Sequence, residues 1–258
     1  MKLSIIIVSY NVKDLLKQAI DSLLVASKDI DSEFFVVDNA SVDGTVELIK
    51  QAYPKINLIA NAKNEGFSVA NNQAISLAKG EYILVINPDT ITEKDTLLKA
   101  IDFLDHHLEA GSLGVRILDG KGRFLPESKR GLPTPWVSFC KLSGLYRLFP
   151  KSRFFNRYYM GWSSALETQE ADVLTGAFML LRNSALKKVG LFDEHFFMYG
   201  EDVDLSYRLS LAGYKNYYFP EVYITHFKGQ STHKLSLRYI RSFYGSMFIF
   251  AKKYFLKF

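Results

Sequence analysis

Short apolar segments alternate with amphipathic segments through the first hundred residues, and this alternation limits the chain to few folds. The apolar segments predict strands at 3–9, 34–38, 56–60 and 81–86. The amphipathic segments between them predict helices near 12–26, 43–52 and 67–79. Strands separated by helices of this length are joined by right-handed crossovers and form a mostly parallel sheet. The sequence therefore predicts an α/β fold in which helices flank the sheet.

Each of these predicted strands ends in polar residues, which are Ser9-Tyr10-Asn11, Asp38-Asn39, Asn61 to Asn64 and Asn87-Pro88-Asp89. One acid behind a strand is explained by a turn that caps a following helix, here one that starts near Thr92. A set of polar ends is not, because ligands of parallel sheets bind outside the carboxyl ends of the strands. We therefore expect a binding site at this edge of the sheet, with Asp89 in it.

The usual glycine-rich phosphate loops do not follow these strands. Neither GxGxxG nor GxxxxGK[ST] occurs there, which argues against the usual modes of dinucleotide binding and against P-loop chemistry. A phosphorylated ligand would then need a metal ion to balance its charge. Mg²⁺ often takes only one or two protein carboxylates together with ligand phosphates, so Asp89 could serve.

Composition favours a folded protein of a reducing compartment. The chain has 258 residues, 48% of them hydrophobic, which is enough to bury a large core, and its single cysteine, Cys140, rules out an internal disulfide. The opening stretch LSIIIVSYN meets polar residues too early for a signal peptide, and no stretch reaches the roughly 18 apolar residues that cross a bilayer. We therefore expect a cytoplasmic protein.

The net charge of +5 is unevenly distributed along the chain. Residues 128–166 and 222–258 each carry seven basic and no acidic side chains, whereas residues 1–127 carry 13 basic and 18 acidic ones. Two basic, aromatic-rich blocks therefore accompany an acidic body, which favours an anionic surface or ligand as a partner. The pattern disfavours a nucleic-acid reader, whose basic residues lie throughout the binding domain.

The alternation weakens after residue 110. LGVRILDGKGRFL predicts a hairpin around Asp119-Gly120, and the stretch 128–166, which has poor periodicity, predicts a long, partly ordered excursion. Regular structure is predicted again in the last third of the chain: a strand in ADVLTGAFMLLR, a helix starting at Asn183 or Ser184, a helix in GEDVDLSYRLSLAG that ends at Gly213, and strands at 216–219 and 222–226.

An acidic cluster lies in FDEHFFMYGEDVDLSYRL. Glu201 and Asp204 suit the positive end of a helix that starts near Glu201, which would explain both without a catalytic role. Asp202 differs because it follows Met198-Tyr199-Gly200, an apolar and flexible approach. A carboxylate shielded by aromatic side chains is the expected form of a general base. A pairing with Asp204 would be enough to account for Arg208.

His226 ends the last predicted strand, in ITHFKGQST. A lone histidine is more often an ordinary surface or core residue than a metal ligand. Its place at a strand end, before a glycine-containing loop and in a chain whose acidic site would need a metal, brings the two interpretations close to even. The residues alone leave both open.

These motifs resemble those of the inverting family 2 glycosyltransferases with a GT-A fold, most closely the bacterial rhamnosyltransferase-like branch. The matching stretches, in order between residues 4 and 232, are SIIIVSYN, VVDNASVDGT, NEGFSVANNQAI, YILVINPDT, LTGAFMLLR, GLFDEHFFMYGEDVDLSYRL and HFKGQST. The resemblance implies a Rossmann-like GT-A domain over residues 1–232, with a nucleotide-sugar half at 1–110 and an acceptor and catalytic half at 111–232. A basic, aromatic helix would follow at 233–258.

The resemblance also implies roles for individual residues. Those that would contact the nucleotide sugar are Ser9, Tyr10, Asp38, Asn64, Gly66, Asn71, Asn87 and Asp89. Asp38 would accept a hydrogen bond from the pyrimidine ring. Asp89 would bind a divalent metal, Mg²⁺ or Mn²⁺, as the last residue of the DXD motif, and His226 would be a further metal ligand. Asp202 would be the catalytic base, with an acceptor side formed by Gly176, Tyr199 and Glu201.

The DXD motif departs from the general pattern in one position, because its first aspartate is Asn87 in this chain. An amide can hydrogen-bond a ribose or a sugar but is a poorer metal ligand than a carboxylate. Metal binding would therefore rest mainly on Asp89.

The implied reaction is the inverting transfer of a sugar from dTDP-rhamnose or a UDP-hexose to a hydroxyl of a glycan or lipid-linked acceptor, in cell-surface polysaccharide synthesis. Asp38 can read the imide edge that uracil and thymine share, so UDP and dTDP are not distinguished. Inversion needs a single base, which is Asp202 in this interpretation. The alternative is a non-catalytic module that binds sugar nucleotides, and the intact YGEDVDL stretch argues against it.

The C-terminal stretch HKLSLRYIRSFYGSMFIFAKKYFLKF predicts an amphipathic helix. From Lys234 onward it contains six basic residues, eight aromatic residues and no acid. The helix either packs on the domain with its basic residues solvated, or lies on an anionic membrane surface with support from the basic block 128–166. The second interpretation predicts a peripheral protein on the inner face of the cytoplasmic membrane.

Overall fold

A computed structural model describes residues 1–227 and 237–256 of the chain. Within these ranges, nine strands form one mixed sheet. The strands are β1 Leu3–Ser9, β2 Ser32–Asp38, β3 Asn57–Ala60, β4 Tyr82–Ile86, β5 Thr90–Thr92, β6 Ala110–Leu118, β7 Gln169–Glu170, β8 Phe178–Arg182 and β9 Lys215–His226. The helices are α1 Lys13–Ala26, α2 Thr45–Ala52, α3 Phe67–Ile75, α4 Thr96–His106, α5 Pro135–Leu142, α6 Leu145–Leu148, α7 Asn183–Val189, α8 Glu201–Leu211 and α9 Leu237–Tyr254.

The order of strands in the sheet is β3-β2-β1-β4-β8-β6-β9-β5, with β7 paired to β9. The pairs among β1, β2, β3 and β4 are parallel, as the sequence predicts. β8 is antiparallel to both β4 and β6, and β9 is parallel to β6. The carboxyl ends of β1, β2, β4 and β9 therefore lie at one edge of the sheet, together with the segment that leads into β8.

Alternate residues of the central strands fill two separate cores. Ile5 and Ile7 of β1 pack in a core covered by α1 and α4, whereas Ile6 packs in a second core covered by α3, α7 and α8. Every residue of β4 is buried, which is why its sequence is a continuous apolar run without alternation. The sheet thus lies between two layers of helices, and the predicted α/β architecture is confirmed.

The first half of the chain follows the predicted order of elements. All four strands and three helices are present. α3 ends at Ile75, earlier than predicted, because the backbone N–H groups of Leu77 and Ala78 donate to carbonyls three residues back. The predicted start of the next helix, near Thr92, is wrong, although the helix itself is present. Residues Thr90–Thr92 form β5, whose β-branched residues pair with the end of β9, and α4 begins at Thr96.

The stretch 128–166 is more regular than the partly ordered excursion that the sequence predicts. It contains α5, α6 and a cluster of aromatic rings in which Trp136 packs against Phe154. Near its start, the Lys129 ammonium is buried and donates to the carbonyl oxygens of Ser163 and Ser164 at 3.1 and 2.9 Å. Aromatic stacking and this buried anchor replace the apolar periodicity by which helices are normally predicted.

The other elements predicted after residue 110 are present with two changes. α7 begins at Asn183 and α8 is followed by Gly213, which has φ of +87°, as predicted. The strands expected at 216–219 and 222–226 are one strand, β9, whose pairing with β6 has irregularities in register. The hairpin expected around Asp119-Gly120 is a tight turn closed by one bridge between Leu118 and Phe124.

The C-terminal helix α9 packs on the domain through one face. Phe250 is buried, and the Ser246 hydroxyl donates to the Met198 carbonyl at 3.1 Å. Lys253, one of the six basic residues counted above, is not simply solvated: its ammonium lies 2.6 Å from Asp193 and 2.7 Å from Asp204. Of the predicted helix, the parts at 233–236 and 257–258 lie outside the described residues. Within the described ranges, no helix combines the length and apolarity needed to span a membrane.

Candidate active site

Three strand ends are joined by hydrogen bonds at the carboxyl edge of the sheet. The backbone N–H of Asn39 donates to the Ser9 carbonyl at 2.8 Å, and the backbone N–H of Asn61 donates to the Asp38 carbonyl at 2.9 Å. The side chains of Asn39 and Asn61 are hydrogen-bonded to each other at 2.9 Å. The polar ends of β1, β2 and β3 therefore form one continuous surface, as the sequence predicts.

Asp38 is buried at this surface with half of its carboxylate unused. Oδ2 accepts from the Ser41 amide at 2.9 Å, whereas Oδ1 has no hydrogen-bond partner. The hydroxyl of Ser9, which is in register with Asp38, is also buried without a partner, and Tyr10 is 38% exposed. A fixed, unpaired carboxylate oxygen suits an N–H donor of a ligand, and an exposed ring suits stacking on a base.

Asn64 and Gly66 shape the loop before α3. The Asn64 side chain accepts from the Gly66 amide at 3.0 Å. Gly66 has φ of +86°, and a Cβ there would lie 2.6 Å from the Phe197 carbonyl oxygen, so this close approach requires glycine. The adjacent Phe67 amide donates to the same carbonyl at 2.8 Å. Gly66 and Phe67 thus join α3 to the segment before α8. The contact of Asn64 and Gly66 with a nucleotide stays a prediction.

Asp89 and His226 meet where β5 pairs with the end of β9. Thr90 pairs with His226 in this short ladder, and the Phe227 amide donates to the Asp89 carbonyl at 2.9 Å. As a result, Asp89 Oδ1 lies 3.0 Å from His226 Nε2, with both side chains buried. Asn87 is close to the pair, since its amide nitrogen is 3.5 Å from His226 Nε2. The two predicted metal ligands are therefore adjacent.

The donor atoms at this point fit a divalent cation that the protein holds with few ligands. One carboxylate oxygen and one imidazole nitrogen face each other, and His226 Nδ1 is buried without a partner. No group of three or more histidine, cysteine or acidic side chains that could hold a metal occurs within the described ranges. Mg²⁺ and Mn²⁺ sites of this kind are completed by phosphate oxygens and water, so the residues suit a metal shared with a phosphorylated ligand.

A short loop before β8 connects the DXD motif to Asp202. The backbone N–H of Asn87 donates to the Ala177 carbonyl at 3.2 Å, and the backbone N–H of Gly176 donates to Asp202 Oδ2 at 3.2 Å. Gly176 also lies against Phe67 of α3, because a Cβ there would be 3.3 Å from the Phe67 ring and 3.9 Å from the Asp202 Cβ. The predicted base and the predicted DXD motif are therefore held by neighbouring residues of one loop.

Asp202 lies at the start of α8, behind two residues with left-handed backbone. Tyr199 has φ of +72° and Gly200 has φ of +86°, and a non-glycine residue in this region is unusual and marks a constrained turn. Asp202 is 8% exposed, and its Oδ1 accepts from the Val203 amide at 2.8 Å. The turn and the start of α8 together fix the position of the Asp202 carboxylate.

Arg130 is a site residue that the sequence analysis missed. Its Nη2 donates to Asp202 Oδ2 at 2.5 Å and to the Leu174 carbonyl at 2.9 Å, and both charged side chains are 12% exposed. Burial lowers the pKa of Arg130, but the adjacent Asp202 carboxylate and the Tyr158 hydroxyl outweigh burial and raise the pKa. The sequence pattern favours an anionic surface or ligand for the whole basic block, whereas seven basic residues in a chain with a separate acidic cluster are also a signal that one of them is paired internally.

Glu201 and Asp202 are neighbouring acids in different surroundings. Burial and the Asp202 carboxylate raise the pKa of Glu201 to about 8, and its Oε2 is buried without a hydrogen-bond partner. Asp202 instead has the Arg130 guanidinium as counter-ion. The protonated form of Glu201 is therefore favoured at neutral pH, and the two acids are not equivalent candidates for a base.

Asp204 belongs to the anchor of α9 and not to the site. It is fully buried and accepts hydrogen bonds from Arg208 Nε, Lys253 Nζ and the Tyr254 hydroxyl, each at 2.7 Å. The suggested Arg208–Asp204 pair is therefore present. Asp193 is the second acid of the anchor: burial raises its pKa, but hydrogen bonds from Lys253 and His195 outweigh burial and lower it to about 2.

Unpaired buried polar atoms concentrate around the predicted site. Nine buried side chains in the described part of the chain have a polar atom without a partner, and six of these are Ser9, Asp38, Asn71, Arg130, Glu201 and His226. Asn71, on α3, donates from its amide to the Phe67 carbonyl at 2.9 Å, which leaves its Oδ1 unpaired. Because buried polar groups are nearly always hydrogen-bonded, this concentration leaves several hydrogen-bonding atoms available to a polar ligand.

Comparisons with known proteins identify the family of the chain. Residues 4–190 match the model of the family described as Glycosyl transferase family 2. The N-acetylglucosaminyl-diphospho-decaprenol L-rhamnosyltransferase of Mycobacterium tuberculosis (strain ATCC 25618 / H37Rv) is 31% identical over 261 residues, which cover 96% of this chain and 83% of that protein.

Two solved structures share the fold. S. aureus TarS 1-349 in complex with UDP-GlcNAc superposes with a TM-score of 0.65 at 22% identity, covering 98% of this chain and 66% of that one. Mannosyltransferase PcManGT from Pyrobaculum calidifontis, in complex with GDP-Man and Mn²⁺, gives 0.63 at 18% identity, covering 89% and 58%. At these identities the structures support the fold alone, which is GT-A. The match to the family model and the 31% identity to the rhamnosyltransferase show that the chain belongs to glycosyl transferase family 2, in its rhamnosyltransferase-like branch.

Proposed function

We propose that this glycosyltransferase transfers a sugar, with inversion, from a UDP- or dTDP-sugar to a hydroxyl of a glycan or lipid-linked acceptor. The observation that carries the proposal is the loop before β8, where Ala177 accepts from the Asn87 amide and Gly176 donates to Asp202. This loop places a residue of the donor diphosphate motif and a buried carboxylate next to each other. Inverting transfer requires that juxtaposition, because the acceptor oxygen that the base deprotonates bonds to the same anomeric carbon from which the diphosphate leaves.

The donor nucleotide would bind at the ends of β1 and β2. Asp38 Oδ1, buried and unpaired, would accept the imide N–H of uracil or thymine, and Tyr10 would line the base pocket. Asn64, Gly66 and Asn71 would contact the ribose or the phosphates. The relative named a rhamnosyltransferase favours dTDP-rhamnose as the donor, with a UDP-hexose as the second candidate.

Asp89 and His226 would hold the divalent metal, Mg²⁺ or Mn²⁺, with Asn87 hydrogen-bonding the ribose or the sugar. When bound, such a metal neutralises the charge that develops on the diphosphate leaving group. Asp89 supplies the anionic ligand and His226 the neutral one, and their 3.0 Å separation needs little rearrangement to face one cation.

Asp202 would accept the proton of the acceptor hydroxyl as its oxygen bonds to the anomeric carbon. The bond between that carbon and the diphosphate oxygen breaks on the opposite face, and the nucleoside diphosphate leaves with the electron pair. Asp202 afterwards releases its proton to solvent. Gly176, Tyr199 and Glu201, which surround the carboxylate in sequence or space, would form the acceptor side.

We assign these roles to two halves of one GT-A domain over 1–232, of which 228–232 lie outside the described residues. Residues 1–110 would form the donor half and residues 111–232 the acceptor and catalytic half. Arg130 and Asp202 both belong to the second half, which supports the assignment.

The proposed function predicts acceptor-dependent release of nucleoside diphosphate. The purified protein is incubated with dTDP-rhamnose, UDP-glucose, UDP-GlcNAc or GDP-mannose, with Mg²⁺ or Mn²⁺ and a lipid-diphosphate-linked sugar. We expect release with one pyrimidine donor to increase by about 10²-fold or more when the acceptor is added, because an enzyme of this class protects its donor from water. Tight donor binding without release from any donor would instead support the non-catalytic binding module.

We further propose that the protein acts at the inner face of the cytoplasmic membrane, with the outer face of α9 on anionic lipid. Tyr244 and Phe248 are 55% and 64% exposed, Leu256 is 41% exposed, and Lys252 lies on the same side. Tyr244, Phe248 and Lys252 are spaced by four on α9, so they form one helical stripe opposite the packed face, and Leu256 follows two residues beyond the end of the helix. Exposed aromatic, apolar and basic side chains in one stripe are typical of interfacial helices.

Phe248→Glu is expected to weaken co-sedimentation with phosphatidylglycerol vesicles about tenfold at low salt, since an apolar side chain is lost and a repelled charge is added. Leu98→Glu is the matched control, because Leu98 is 55% exposed on α4, which covers the opposite face of the sheet. We expect the control to bind vesicles like the wild type. Equal binding of Phe248→Glu and wild type would exclude α9 as the contact surface.

A further inference from the structure

We propose that Arg130 is a positioning residue for the transfer reaction: its buried ion pair with Asp202 orients that carboxylate beside Glu201 and thereby sets the lower pH limit of activity. The inference rests on the proposed function, because it takes Asp202 as the base. It adds a residue from the basic block 128–166 to the machinery of a site whose other members lie elsewhere in the chain.

The contact between Arg130 and Asp202 is direct and enclosed. Arg130 Nη2 reaches Asp202 Oδ2 at 2.5 Å and the Leu174 carbonyl at 2.9 Å. Both side chains are 12% exposed, so solvent weakens their attraction much less than it would at the surface. Removing one partner of such a buried pair strongly destabilises the folded protein, because the other charge is left without compensation.

The backbone at Arg130 is held by its neighbours. Arg130 and Val173 exchange two backbone hydrogen bonds, at 3.0 and 2.9 Å. The next residue, Gly131, donates to the Tyr158 carbonyl at 3.0 Å, and a Cβ at Gly131 would collide with the Arg157 carbonyl oxygen. The main chain from which the Arg130 side chain extends towards Asp202 is therefore fixed by the fold.

The charged and titratable groups near Asp202 explain why a cation is needed there. Glu201 precedes it on α8, and Arg130 faces it from the basic block. Behind Arg130 lies Tyr158, which is hydrogen-bonded to Arg130 and whose ring centroid is 3.5 Å from the Lys141 ammonium. Asp202 thus has one adjacent cation and one adjacent acid among the described residues. Without Arg130, the buried Asp202 carboxylate would lie beside Glu201 with no adjacent cation, which makes a negative charge there less favourable.

The pairing also distinguishes the two oxygens of Asp202. Oδ2 accepts from both Arg130 and the Gly176 amide, whereas Oδ1 accepts only from the Val203 amide. Oδ1 therefore has the more available lone pair for the acceptor hydroxyl. Arg130 would in this way fix which oxygen takes the proton as well as keeping the group ionised.

The test is the pH dependence of kcat/KM between about pH 5.5 and 9.5 for the wild type, Arg130→Lys and Arg130→Met. Loss of the cation makes a negative charge beside Glu201 less favourable, so the acid limb of the profile should move up by about one pH unit or more in Arg130→Met. Activity would fall by up to about tenfold for each unit of this shift at pH values below both limbs, and would recover at high pH. Arg130→Lys, which keeps the charge, should lie between the two.

Two further variants separate charge from structure. Arg157→Met removes a basic residue of the same block whose side chain is 58% exposed and 3.8 Å from Asp172, and its profile should match the wild type. Glu201→Gln combined with Arg130→Met removes the acid that competes for the proton, so it should move the acid limb back down. Thermal unfolding of each variant identifies any that fail to fold, and Arg130→Lys then replaces Arg130→Met in the comparison.

Two results would overturn the inference: an unchanged profile in Arg130→Met, or a loss of activity that is equal at every pH. The second would mean that Arg130 binds substrate or only supports the fold. If the wild type transfers no sugar from any donor, the proposed function fails instead. The inference is still decided in that case by carbon-13 NMR titration of the Asp202 carboxyl group, which should become protonated at higher pH in Arg130→Met than in the wild type.

Discussion

Asp202→Asn is expected to lower the rate of sugar transfer roughly 10²–10⁴-fold, the usual effect of removing a general base. Asparagine has nearly the same shape and can still accept from the Gly176 amide, but it cannot take a proton from the acceptor hydroxyl. Donor binding should stay nearly unchanged, because Asp38, Asn87 and Asp89 lie on the other side of the loop before β8. Release of nucleoside diphosphate measures the rate, and calorimetry with UDP or dTDP measures binding.

The neighbouring acid provides the comparison for this variant. Glu201 has the same charge type one residue earlier, but burial and Asp202 raise its pKa to about 8, so it is protonated at neutral pH and is not the available base. Glu201→Gln should therefore lower the rate much less than Asp202→Asn does. Near-normal turnover in Asp202→Asn together with a large loss in Glu201→Gln would transfer the role of base to Glu201.

Asp89→Ala is expected to abolish metal-dependent binding of the nucleotide, the second large effect that the structure predicts. Asp89 is the carboxylate of the Asp89–His226 pair, and oxygen anions are the ligands that Mg²⁺ and Mn²⁺ prefer. His226→Ala should weaken binding less, because the lost ligand is neutral and the carboxylate remains. Calorimetry with UDP or dTDP in Mn²⁺ and in EDTA measures both effects.

Asn87→Ala is the matched control for the metal prediction. Asn87 lies 3.5 Å from His226 but offers an amide, so its loss should reduce affinity while the difference between Mn²⁺ and EDTA persists. If the wild-type protein binds the nucleotide equally tightly in EDTA, then the Asp89–His226 pair is a structural ion pair and not a metal site.

The donor side of the protein was predictable because its signals are local. Each strand of the first half is a short apolar run followed by a polar residue, and a parallel arrangement places those residues at one edge. Asp38, Asp89 and His226 therefore lie where the sequence and the family resemblance placed them. Even here, the threonines after Asp89 form β5 with β9, and no local pattern announces a partner strand so distant in the chain.

The acceptor side was predictable only in part, because its key contacts join distant segments. Arg130 and Asp202 lie 72 residues apart, and nothing in the irregular stretch around Arg130 distinguishes it from the six other basic residues there. The Lys253–Asp204 contact spans 49 residues and was likewise invisible. Ion pairs between distant segments follow from the tertiary fold and have no period by which a sequence pattern could reveal them.

The anchor of α9 has a practical consequence for experiments on the C-terminus. Asp204, which binds Lys253 and Tyr254, lies two residues after Asp202, so the anchor and the base share one turn of α8. Trimming the chain through Lys253, by protease or by design, would remove two of the three groups that hydrogen-bond the buried Asp204 carboxylate and leave Arg208 as its remaining partner. A shortened protein that loses activity would therefore report a disturbed α8, which carries the proposed base, whereas surface substitutions such as Phe248→Glu report on lipid contact.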